Sequence, residues 1–145
     1  VPTEGCLECF ARLREAGVAI ALTTGFHRAV TDVILARLGW DSGLDEQRVG
    51  SQDTVVQASV CSEDVPQGRP APDMIHRAMR LLKVGDPRHV AKVGDTPADL
   101  EAGRNAACGL ALGVTNGSHT ADQLAPHASD GLLPSLGDLP AALGF

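Results

Sequence analysis

Two aspartates four residues apart, Asp95 and Asp99, stand where the apolar run "RHVAKVG" gives way to the helical pattern of "PADLEAGRNAA". Carboxylates gathered at the end of a strand suit Mg2+, a hard cation that takes oxygen ligands and keeps several waters while held through one or two carboxylates plus a phosphate. Part of the pattern has a plainer origin. Thr96 can cap the helix, Pro97 fits its first position, and Asp99 at the third position favours the positive helix end. Capping accounts for those three residues and leaves Asp95 unexplained, so Asp95 is the better candidate ligand.

Two further stretches carry groups of matching chemistry. "ALTTGF" ends an apolar run with Thr23 and Thr24, then Gly25 and Phe26. A hydroxyl followed by a glycine lets one side chain and one or two backbone N–H groups approach phosphate oxygens, although a threonine at a strand end also commonly bonds its own turn. In "GRPAPD", prolines on either side restrict the backbone around Arg69. A fixed guanidinium offers a forked donor suited to phosphate, and a solvated loop arginine is the plainer alternative.

The elements that must position these groups follow from periodicity. Residues 6–16 carry apolar positions at helical spacing and stop at Gly17, and 27–39 repeat the pattern. "VAIALTTG", "TVVQASVC", "RHVAKVG" and "GLALGVT" read as strands, the first buried on both faces as parallel strands are. Pro72 can open a helix over 72–84 because proline at the first helical position sacrifices a donor that had no partner. "TADQLA", "SDGLL" and "LGDLPAAL" predict a short helix, a short strand and a final helix. Such alternation implies right-handed crossovers and an open, mostly parallel α/β sheet of three-layer, Rossmann-like form, with ligands at the carboxyl ends of its strands.

At 145 residues, a single domain over 1–145 is expected, with 43% hydrophobic and only 3% aromatic residues to fill its core. A formal charge of −6 offers no broad electropositive surface, which argues against nucleic acid or anionic membrane as partners. No apolar run is long enough for a membrane span and none resembles a signal peptide, so a cytoplasmic protein is expected. Cys6 and Cys9 form the one Cys-x-x-Cys spacing; with no second pair or nearby histidines it predicts packed, reduced thiols rather than a zinc site.

Taken in order, "ALTTGF", "GRPAPD" and "KVGDTPADLEAG" resemble the second, third and fourth motifs of the haloacid dehalogenase superfamily of hydrolases. They look most like its phosphonatase-like branch, and "GVTNGSHTADQL" adds to that likeness. The resemblance implies that Thr24 binds the transferred phosphoryl group, with Gly25 and Phe26 lining the pocket and Arg69 as the basic residue. It implies that Asp95 binds Mg2+ and that Asp99 either ligates the metal through water or orients its neighbours. The substrate would be a small phosphorylated or phosphonate compound, and the reaction phosphoryl transfer to an aspartate followed by hydrolysis of the aspartyl phosphate. A metal and a fixed cation offset the repulsion between an anionic nucleophile and an anionic phosphorus centre.

The family's first motif, an apolar strand ending in the nucleophilic aspartate, has no counterpart here, and neither does the family's cap domain. Neither Glu4 nor Glu8 follows a strand, so neither is a substitute. In the family that strand lies between the strands that here end in Thr24 and Asp95. These two are therefore expected either to pair directly or to leave exposed edges, which invite association. The expectation is a core fragment of a longer enzyme, inactive alone, completed by an N-terminal segment. The alternatives are a split-enzyme subunit completed by another chain, or a non-catalytic scaffold acting through association, a homodimer included.

Overall fold

Six α-helices and five β-strands form among residues 5–145, the residues that the computed structural model describes; Glu4 lies outside them. Helix α1 (Cys6–Glu15) buries Cys6, Cys9, Phe10 and Leu13, the i, i+3, i+4, i+7 spacing of one helical face. It ends where Gly17 takes a left-handed φ of 80° and Val18 N–H donates to the Leu13 carbonyl at 2.9 Å. Helix α2 (Arg28–Leu38) stops in the same manner at Gly39, delivering Trp40 to within 5.5 Å of the Phe10 ring. Glu8 sits on the exposed side of α1.

Strand β1 (Ala21–Thr24) pairs in parallel with β2 (Ala58–Cys61), Thr24 opposite Cys61. Strand β3 (Ala91–Gly94) pairs in parallel with β4 (Leu110–Val114), and β4 with β5 (Gly131–Leu133). Helix α3 (Asp73–Leu81) packs against β2 and β1, and α4 (Pro97–Asn105) against β3 and β4. The short helices α5 (Ala121–Leu124) and α6 (Leu139–Ala142) complete the order.

Parallel pairing, crossover helices and strand order agree with the α/β reading, but the ladder is divided. Its order is β1-β2 in one sheet and β3-β4-β5 in another, with no pairing between β1 and β3. Of the two outcomes open to these strands, they leave free edges. Side chains join the sheets instead: Ile20, Leu35, Trp40 and Val56 share one buried cluster with Leu112 of β4, and Leu22 and Val93 pack against it.

Element bounds differ from the sequence reading in two informative places. Strand β2 starts four residues later than "TVVQASVC" because side chains capture the backbone before it. Thr54 Oγ1 donates to the Val56 carbonyl at 2.7 Å, and Gln57 Oε1 accepts from Ile20 N–H at 2.7 Å. Likewise Pro87–His89 form a 3-10 turn capped by Asp86, so β3 begins only at Ala91.

Candidate active site

At the carboxyl end of β1 the Thr24 hydroxyl accepts from Phe26 N–H at 3.2 Å, the local turn bond that a strand-end threonine commonly makes. Ser62, just after β2, donates its hydroxyl to the carbonyls of Gly25 (3.0 Å) and Phe26 (3.2 Å) and so pins this loop. Phe26 itself is exposed. Gly25 is held against the Arg69 guanidinium: a Cβ added at Gly25 would lie 3.2 Å from Arg69 Nη2. A glycine here lets the loop backbone and the guanidinium approach without the arginine tip having to shift.

The Arg69 loop is tied to α4 twice. Asn105 Nδ2 donates to the Pro70 carbonyl at 2.8 Å, and Arg69 Nη1 donates to Asp99 Oδ1 at 3.0 Å. The other oxygen of Asp99 accepts from Thr96 Oγ1 (2.9 Å) and from the backbone N–H of Thr96 and Asp95 (3.2 Å each). With Asp99 N–H donating to Thr96 Oγ1, this is the reciprocal cap that the sequence suggested. Asp99 therefore faces inward, its side chain 7% exposed, with both oxygens engaged.

A residue that sequence reasoning missed completes the cluster. Lys92 of β3 donates from Nζ to Thr23 Oγ1 on β1 at 2.7 Å, and Nζ lies 3.7 Å from Asp99 Oδ1. One side chain thus crosses the seam that no backbone pair bridges. Burial pushes the Lys92 ammonium below its usual pKa, against the opposing pull of Asp99. Burial also pushes the Asp99 carboxyl up, but Lys92, Arg69 and Thr96 outweigh it and the net shift is downward. The available signal was a lysine inside an otherwise apolar strand.

Asp95 has a different setting. Its Oδ2 accepts from Ser118 N–H at 2.9 Å, and the loop after β4 closes over it so tightly that a Cβ on Gly117 would collide with the carboxylate. Among the described residues Oδ1 makes no hydrogen bond. One carboxylate oxygen without a protein donor fits Mg2+, which takes few protein ligands and completes its shell with water and phosphate. Among the described residues no cluster of three or more His, Cys, Asp or Glu side chains could enclose a metal by itself. The four cysteines are free thiols, and Cys6 and Cys9 are packed in the core.

Asp99 thus links Arg69 to the start of α4, where Asp95 sits, and Gly25 brings the Thr24 turn against the same guanidinium. All three sequence stretches meet at one end of the two sheets. His27 is not drawn in; its ring lies 3.4 Å from Glu63 and is largely exposed. Among the described residues no helix is long and apolar enough to cross a membrane.

The profile of the haloacid dehalogenase-like hydrolases matches residues 1–107. Phosphonoacetaldehyde hydrolase from Bacillus cereus is 36% identical over 117 residues, which are 81% of this chain and 40% of that protein. The chain therefore spans about two fifths of the length of the curated relatives it matches. A phosphonoacetaldehyde hydrolase-like protein from Oleispira antarctica superposes with a TM-score of 0.78 at 21% identity, covering 98% of this chain and 55% of that one. A HAD family hydrolase from Deinococcus radiodurans, solved with bound phosphate and sodium, gives 0.78 at 24% identity, covering 98% and 58%. These structures share the fold. With three motifs in order and a family profile over most of its length, the chain belongs to the haloacid dehalogenase-like hydrolase family.

Proposed function

We propose that this chain forms the phosphoryl-binding and metal-binding part of a Mg2+-dependent, phosphonatase-like hydrolase acting on a small phosphorylated or phosphonate compound. The nucleophilic aspartate is delivered by a strand entering the seam between β1 and β3. The observation that carries this reading is the shared carboxylate of Asp99, which fixes Arg69 and the Asp95 backbone together beside two unpaired strand edges.

In this reading the Thr24 hydroxyl and the backbone N–H groups around Gly25 hold phosphoryl oxygens, and Arg69 offsets their charge as the phosphoryl group is transferred. Asp95 Oδ1 is the oxygen offered to Mg2+, whose charge, when bound, would further neutralise those oxygens. Asp99 orients Arg69 and the start of α4, since its own oxygens are already engaged. An incoming parallel strand would meet the free edge of β1 beside a mainly apolar cavity of about 220 Å3 lined by Leu22, Ile34, Leu35, Leu38 and Trp40, with Thr24 at its wall. The strand's aspartate attacks phosphorus as the bond to the substrate's leaving group breaks and that group departs; water then attacks the aspartyl phosphate, releasing inorganic phosphate and the free aspartate.

The chain alone is therefore expected to be inactive. Appending an apolar strand that ends in aspartate should give hydrolysis of an aryl phosphate that requires Mg2+ and is abolished by Asp95→Asn. No activity in the completed protein would overturn the enzymatic reading. A split enzyme is the second reading, favoured by the free edges, and in that case the strand supplied as a separate chain should work equally well.

A further inference from the structure

The charges at this site do not favour an anion until Lys92 is counted. Arg69 and Asp99 form a close ion pair whose formal charges cancel, and a neutral pair has little net attraction for a phosphoryl dianion. We propose that Lys92 is a positioning residue for that anion: by sharing Asp99 with Arg69, it supplies a second cation to balance the two carboxylates, Asp99 and Asp95, and frees the guanidinium to face the phosphoryl group. This inference rests on the phosphoryl-binding reading above and deepens it.

Two observations set Lys92 apart from an incidental strand residue. Its ammonium is nearly enclosed, the side chain 11% exposed, yet it is aimed between Asp99 and the Thr23 hydroxyl. Burying a cation is costly and is sustained by hydrogen-bonded, charged surroundings of this kind.

The test is calorimetric titration of the 145-residue chain with inorganic phosphate at two salt concentrations. Lys92→Met and Lys92→Gln should each weaken binding roughly tenfold or more, as expected for one unit charge at an effective dielectric of about 20, and should flatten its salt dependence. Lys92→Arg should restore both. A purely structural role for Lys92 would not tie the effect to charge. If Lys92→Met fails to fold, Lys92→Gln, which keeps a donor for Thr23, decides the matter. Phosphate binding that is weakened by Arg69→Met but intact in Lys92→Gln overturns the Lys92 assignment alone. No binding by the unaltered chain, or binding indifferent to Arg69→Met, overturns the phosphoryl-binding reading and this inference with it.

Discussion

Asp99 accepts more hydrogen bonds than a helix cap requires, and each additional donor belongs to a different part of the site. Asparagine could still cap α4, but its amide N–H2 would face the donors of Arg69 and Lys92. Asp99→Asn should therefore cost about 3 kcal/mol at neutral pH, the usual result of removing one partner from a buried charge pair. The folded-state pKa of Asp99 is lowered, so its stabilisation is complete above the ordinary carboxylate value of about 3.9 and is lost as pH falls through the lower folded value. Urea unfolding at pH 7 and at progressively acid pH should show the gap between wild type and variant closing below about pH 4; a gap independent of pH would contradict this role. Thr24, Asp95 and Asp99 stood out as candidates in the sequence because each sits beside a strand end or a cap signal, and Arg69 because prolines restrict the loop that carries it. Lys92 did not, because a lone lysine in an apolar strand marks an unusual position without showing which neighbouring strand it reaches.

At the scale of elements, every helix and strand that periodicity suggested is present. The bounds of β2 and β3 moved where Thr54, Gln57 and Asp86 bind backbone groups that a strand would otherwise use. How the strands are ordered was harder to read. An apolar run carries no record of which neighbour completes its ladder, so direct pairing of β1 with β3 and exposed edges were both compatible with the sequence. The free edges have a measurable consequence. Amides of β1 and β3 should exchange with deuterium faster than those of β4, which is paired on both sides. Adding the aspartate-bearing strand should slow exchange at β1 and β3 while leaving β4 nearly unchanged. Equal protection of β1, β3 and β4 in the unmodified chain would mean that the seam is not open.

Across the whole molecule, a chain of net charge −6 gathers two cations around one carboxylate at the mouth of the seam. Clustering two cations there locally offsets the global negative charge, a way for an acidic protein to hold an anion at a single place. The two sheets meet through Leu22, Val93 and the cluster around Trp40 rather than through backbone pairing, so the site is assembled by packing and by the Lys92 bridge. In the proposed enzyme this assembly receives a phosphoryl group whose covalent acceptor lies on the inserted strand. Acid-quenching a reaction of the strand-completed protein with 32P-labelled substrate and Mg2+, followed by peptide mapping, tests this directly. The label should appear on the aspartate of the added strand and vanish when that residue is asparagine; label on Asp95 or elsewhere in the 145 residues would contradict the account.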